Sequence, residues 1–316
     1  MNEVHLMCKT NIVHLIANKK SGKGAGISLP EIAAKMCHDY NFELIHHDTS
    51  DHDTLEKQIQ TAADLAEQDG GIVVAAGGDG TIRAVAEKVY GRNIRFGVVG
   101  CGTFNFFART HHLPEDPAEA FKVILTGAVK EVRLGEMNGR IFLINASLGL
   151  YAKSIQDREK RTSRYGRNRL VVILSTLYSI IEGHRLLEVT LMSGKIQQKI
   201  RTPMIFIGNN ALQLRDLSMD VADCMKKDLL AAVLMKPLKT WEVLRALFYG
   251  IAKKIDNEEG VVSFCVDELS IITHRNKFST VALDGEMFQL KSPLNVKSLP
   301  QALKLIKPQV IAEVEV

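Results

Sequence analysis

The sequence predicts an α/β chain: an N-terminal half built on a parallel sheet with helices on both faces, followed by a β-rich second half. Three observations carry this. Short apolar strand-like runs alternate with helical stretches as far as residue 128. From residue 129 onward strands follow one another through short connections. Glycine-containing turns stand directly after three of the N-terminal strands.

Residues 11–17 (NIVHLIA) form a strand that runs into Asn18 and a Lys/Gly-rich turn. Ser28 or Pro30 opens a helix ending near Tyr40, residues 42–47 give a second strand, and 53–68 have helical character. Residues 71–76 read as a buried strand, 81–90 as a helix and 95–99 as another strand. Later strands are expected at 129–137, 140–146, 185–192, 198–208, 229–235, 261–273 and 279–290, interrupted by helices at 167–182 and 240–251. The apolar stretch 300–311 is expected to return to the first domain. The domains are then 1–128, with 300–316 packed back on it, and 129–299.

At 316 residues the chain has room for two domains, each able to bury a core. Forty Lys and Arg against 36 Asp and Glu leave a surplus of +4, too small to argue for nucleic acid. That surplus is concentrated: residues 157–169 hold six Arg or Lys and two acids, a pattern suited to transient contact with an anionic membrane surface or to a solvated face. The five cysteines have no C-x-x-C spacing, which argues against zinc and against a disulfide framework and fits a reducing, cytoplasmic compartment. The N-terminus lacks the basic and apolar regions of a signal peptide. The longest apolar run, 170–181, is too short to span a bilayer. The pairs His46-His47 and His111-His112 lack metal spacing and read as surface residues.

In open parallel sheets ligands sit beyond the carboxyl ends of the strands, where helix N-termini aim amide groups outward. Three segments occupy such ends: Asn18-Lys19-Lys20-Ser21-Gly22-Lys23-Gly24, Gly77-Gly78-Asp79-Gly80-Thr81, and Gly100-Cys101-Gly102-Thr103-Phe104-Asn105. One glycine turn says little, because turns use glycine for conformational reasons alone. Three on one sheet edge point to a phosphate site. A Walker A reading of the first turn fails, with Ala17 at its first glycine and Gly24 at its Ser/Thr. A dinucleotide fingerprint fails at Arg83. Against the functional reading of residues 77–81 stands a plain strand-to-helix turn capped by Asp79. Against that of Asp284 and Glu286 stands a hairpin, since Asp-Gly is a common turn pair.

These segments, in order, resemble the diacylglycerol kinase catalytic family, which includes bacterial soluble lipid kinases and sphingosine kinases. The correspondence runs through the turn at 18–24, G-G-D-G-T at 77–81 and G-T-x-N with a following F-A-R at 102–109. It continues through Asn145-Ala146-Ser147-Leu148-Gly149-Leu150, Ile207-Gly208-Asn209-Asn210 and Asp284-Gly285-Glu286. G-G-D-G-T alone is shared with NAD kinases; the ordered set is far more specific.

The resemblance implies a Rossmann-like nucleotide domain, a C-terminal β-sandwich, and ATP- and Mg²⁺-dependent phosphorylation of diacylglycerol or a related lipid alcohol in a soluble or inner-face peripheral enzyme. It places ATP phosphates on Gly77, Gly78, Asp79, Gly80 and Thr81, with Asn18, Thr49, Thr103 and Asn105 nearby, and makes Glu286 the general base. Asp79 either holds Mg²⁺ beside the phosphates or orients the acceptor hydroxyl, and Asp284 joins the same cluster.

Where described bacterial members carry acids for a second, structural Mg²⁺, this chain reads Lys226-Lys227-Asp228-Leu229-Leu230-Ala231. That site is therefore expected to be absent, with an ammonium standing in for the ion. Lys19 replaces the first turn's proline. Two other readings stay open: an NAD kinase-like phosphotransferase, and a non-catalytic lipid- or nucleotide-binding regulator. The acceptor and the oligomeric state, a homodimer included, are not legible.

Overall fold

The computed structural model describes residues 11–18, 25–47, 52–149, 186–210, 220–236 and 261–309. The lysine turn beyond Asn18, Thr49, the basic stretch 157–169 and the helices expected at 167–182 and 240–251 lie outside them. By compactness the chain divides into one unit of residues 1–133 and 300–316 and another of residues 134–299.

The first unit alternates β1 (Ile12–Ala17), α1 (Ala25–Asp39), β2 (Glu43–His47), α2 (His52–Asp69), β3 (Ile72–Gly77), α3 (Asp79–Val89) and β4 (Arg95–Gly100), then α4 (Phe106–Thr110) and α5 (Pro117–Thr126). The strands pair in parallel in the order β2-β1-β3-β4. Strand β3 is buried at every position, which is why its sequence IVVAAG is a continuous apolar run rather than an alternation. Val13, Leu15 and Ala17 face Leu29, Ala33 and Phe121 in one core. Helix α5, which the sequence reading passed over, had a legible start: Pro117 is its first residue, and Asp116 accepts from the amides of Ala118 and Glu119 at 3.0 and 2.9 Å.

The second unit is antiparallel. One layer holds β5 (Ala128–Met137, from residue 134 onward), β6 (Arg140–Phe142), β8 (Leu187–Ser193), β9 (Ile196–Thr202), β13 (Glu268–Thr273) and the start of β16 (Leu294–Lys307). The other runs β12 (Val261–Val266), β11 (Leu230–Met235), β10 (Met204–Gly208), β7 (Asn145–Gly149), β14 (Phe278–Leu283) and β15 (Glu286–Lys291). Leu191, Ile271 and Val296 of the first layer meet Leu148, Ile207, Leu234 and Val281 of the second in one apolar core, the interior of a sandwich. The segment expected to return to the first domain is the end of β16, whose Lys304 and Leu305 pair in parallel with β4.

Four expected strands divide in two. The runs 140–146, 198–208 and 261–273 each change layer midway, giving β6/β7, β9/β10 and β12/β13. Apolar periodicity does not register a change of partner. Pro203, with no amide hydrogen for the ladder, marks the second break, and Asp267 the third. The run 279–290 folds into the β14–β15 hairpin at Asp284 and Gly285, both at positive φ (48° and 89°).

The cysteine reading is corrected as well: Cys224 and Cys265 form a disulfide. The partners are 41 residues apart and meet only because the 3₁₀ segment Asp220–Lys227 packs on β11 and β12. Linear spacing could not reveal this, and cysteine usage no longer argues for a reducing compartment. Among the described residues no helix is long and apolar enough to cross a membrane.

Candidate functional site

Strand β3 ends on Gly77, and Gly78, extended at φ −79° and ψ 174°, is the N-cap of α3. As glycine it brings no capping side chain to the first-turn amides. Asp79 does not cap its own helix. Its two carboxylate oxygens accept from the amides of Phe106 and Phe107, each at 3.2 Å, so it caps α4 and ties the second glycine turn to the third. Burial raises the Asp79 pKa, against the pull of those amide hydrogen bonds.

The two turns meet backbone to backbone. A Cβ on Gly102 would stand 2.8 Å from Cα of Gly78, and one on Gly77 would stand 2.7 Å from the Thr81 side chain. These glycines are required by close approach. Asn105, left-handed at φ 48°, fixes the third turn: its Oδ1 accepts from the Gly102 amide at 2.7 Å and its Nδ2 donates to the Gly100 carbonyl at 3.2 Å. Asn18, at the end of β1, donates from Nδ2 to Thr81 Oγ1 at 3.0 Å. Asn18, Gly77, Gly78, Asp79, Thr81, Gly102 and Asn105 thus gather at the carboxyl ends of β1, β3 and β4, with Gly80 in the first turn of α3 and Thr103 exposed in the third turn.

In the second unit the three later motifs converge on one corner. The Asp284 carboxylate accepts from the amides of Leu143 (2.7 Å), Ile144 (2.8 Å) and Asn145 (3.0 Å). Asn209 donates from its side chain to the Leu143 carbonyl at 2.9 Å and from its backbone to the Ile144 carbonyl at 2.8 Å. The Asp284 amide donates to the Asn145 carbonyl at 2.9 Å. Every backbone group of the bend between β6 and β7 named here is satisfied by a motif residue. Glu286 follows as the exposed first residue of β15. Sequence reasoning did not anticipate this corner, although its residues lay in the quoted motifs.

At the lysine stretch, Lys226 pairs with Asp223 at 2.8 Å, and Asp228, at φ 57°, accepts at its carbonyl from Ser298 Oγ at 2.6 Å. Among the described residues no group of three or more His, Cys, Asp or Glu side chains could hold a metal ion.

Two histidines depart from the surface reading. His47 is buried and bonded to His14. His111 is half-buried, edge-on to Phe107; burial first, then the positive Lys307, His112 and Arg133, push its pKa down to about 3. The folded value lies below the unfolded one, so only the unfolded chain takes this proton as pH falls from about 6.5 toward 3, and stability is lost across that window. At pH 5 the loss relative to pH 7.5 is expected to be about 2 kcal/mol. His111→Phe should flatten the melting-temperature profile between those pH values; an unchanged profile would remove His111 from the acid response.

With this geometry in hand, the diacylglycerol kinase catalytic domain family matches residues 12–137. A diacylglycerol kinase of Staphylococcus saprophyticus is 35% identical over 140 residues, covering 43% of this chain and 44% of that protein. The matched stretch therefore spans less than half the length of this relative. An uncharacterized protein of Synechocystis is 23% identical over 319 residues, covering 96% of this chain and 72% of that one. The crystal structure of a diacylglycerol kinase from Bacillus anthracis shares the fold, with a TM-score of 0.65 at 19% identity over 95% of this chain and 98% of that one. The segment that matches the family contains all three glycine turns and Asn18; Asp284, Glu286 and Asn209 lie C-terminal to it.

Proposed function

We propose that the chain transfers the γ-phosphate of ATP to the hydroxyl of diacylglycerol or a related lipid alcohol. The observation that carries this reading is the backbone-to-backbone seating of Gly78 against Gly102 at the N-terminus of α3, a contact that a Cβ on Gly102 would wedge apart. A triphosphate fits such a surface of glycine backbone, and Asn18 and Thr81 supply polar side chains beside it. Magnesium fits with one carboxylate, that of Asp79, completed by phosphate oxygens and water. When bound, Mg·ATP supplies the phosphoryl group and screens its charge. Glu286 accepts the proton of the acceptor hydroxyl, and Asp284 acts on it indirectly by building the corner from which β15 starts. The basic residues 157–169 are assigned to an anionic membrane surface; flotation with vesicles should rise with their content of anionic lipid, and flotation indifferent to it would oppose this.

The phosphate site is tested by titrating the protein with Mg·ATP. Gly102→Ala is expected to weaken binding at least about tenfold, because the added methyl separates the two turns. Wild-type affinity in a folded Gly102→Ala variant would move the phosphate site elsewhere.

A further inference from the structure

Under α2 lies a buried polar chain that phosphoryl transfer does not use. His14 on β1 is fully buried and His47, the last residue of β2, nearly so. His14 Nε2 is 3.0 Å from Asp69 Oδ2, His14 Nδ1 is 3.2 Å from His47 Nε2, and His47 Nδ1 is 3.4 Å from Gln58 Oε1. Asp69 Oδ1 accepts from the Gly71 amide at 2.7 Å. Both Asp69 and Gln58 belong to α2, so the chain runs from one part of that helix, through two strands, back to another.

Hydrogen-bond parity restricts what this chain can be. With Gln58 presenting its oxygen, His47 must donate from Nδ1, and a neutral His47 then accepts at Nε2. His14 must donate from Nδ1 to it, and it also faces the Asp69 carboxylate with Nε2. Satisfying every bond then requires His14 to carry both protons, an imidazolium paired with Asp69. With the Gln58 amide reversed, its NH₂ donates to His47 Nδ1, His47 Nε2–H donates to His14 Nδ1, and His14 Nε2–H donates to Asp69. Both rings are then neutral and every bond is again made. The two arrangements differ by one proton and by the polarity of two of the three side-chain bonds.

We propose that Asp69, His14, His47 and Gln58 form a proton-responsive relay that interconverts these two states. A proton from water enters at His47 Nδ1 as Gln58 reverses. The proton bridging the rings passes from His47 Nε2 to His14 Nδ1, and the charge comes to rest on His14 against Asp69. Proton count and charge balance: one proton is taken up, and the net charge of the chain rises by one. The charge is placed on His14 because its Nε2 lies 3.0 Å from the Asp69 carboxylate, whereas His47 has only the neutral Gln58 at its outer nitrogen; burial, opposed by the Gln58 bond, also holds the His47 pKa down. Among the described residues, Asp69 and Gln58 from α2 face the pair, the charge of exposed His46 on β2 acts on His47, and β3 contributes Ile, Val, Ala and Gly. Proton uptake tightens the tie between Asp69 and His14 and so makes the seating of α2 depend on pH.

The relay differs from a static polar brace in its tautomers. Long-range ¹H–¹⁵N spectra of the full chain, with ring-labelled histidine, read them directly. At high pH both rings are expected as Nε2–H tautomers; at low pH His14 carries both protons and His47 has switched to Nδ1–H. The switch at His47 and the charging of His14 should share one midpoint. A His47 ring that keeps one tautomer throughout, or itself becomes doubly protonated while His14 stays neutral, overturns the relay. Gln58→Glu, an acceptor without a donor when ionised, should move the shared midpoint up by at least about one pH unit; an unmoved midpoint in the folded variant also overturns it. Neither readout involves nucleotide or lipid, so failure here is separable from failure of the kinase reading.

Discussion

Asp284→Ala is expected to lower the stability of the folded chain by about 3–5 kcal/mol, the summed loss of three charge-assisted hydrogen bonds less what water restores. The amides of Leu143, Ile144 and Asn145 would lose the carboxylate they share, at a bend where the chain passes from one sheet layer to the other. Asp284→Asn, which keeps one acceptor oxygen, should fall between wild type and alanine. Urea unfolding followed by circular dichroism measures this ordering. A loss below about 1 kcal/mol for alanine would mean that solvent replaces the carboxylate without penalty and that Asn209 alone holds the corner.

Glu286→Gln should leave the fold and Mg·ATP affinity intact and reduce kcat by about 10²–10⁴-fold, the usual contribution of a general base. The side chain is exposed at the start of β15, so its loss removes no core packing. The reading separates chemistry from positioning through the pH profile: the acidic limb of kcat present in wild type should vanish in the variant along with the rate. Loss of rate with that limb retained would make Glu286 a positioning residue and require another base.

The first unit was readable because local order and tertiary order coincide there. Each apolar run is one strand, the glycine turns after β3 and β4 each lead from one strand into one helix, and burial on both faces leaves an unbroken apolar signature, as in β3. The second unit was harder because the runs at 140–146, 198–208 and 261–273 each serve two layers, and a strand that changes partner keeps its alternation. Likewise, Cys224 and Cys265 meet through tertiary packing, and His47 is buried by a helix that its neighbour in sequence, exposed His46, does not face. At the site, the sequence identified the residues that gather at the sheet edge but not what they touch. Asp79 was read as a metal ligand, a group orienting the acceptor or a cap of α3, and its carboxylate also spans to α4; Asp284 was placed in the catalytic cluster, and its carboxylate also accepts from three backbone amides. Both accept from main-chain amides, and main-chain partners leave no trace in residue type.

The central claim is phosphoryl transfer from ATP to a lipid hydroxyl. It is tested most directly by incubating the full chain with γ-³²P-labelled ATP, Mg²⁺ and a panel of acceptors: diacylglycerol and other lipid alcohols in mixed micelles, and NAD. The account predicts label in a lipid phosphate monoester, dependent on Glu286, and none in NADP. Label in NADP alone, or in no acceptor while Mg·ATP binds normally, would contradict it.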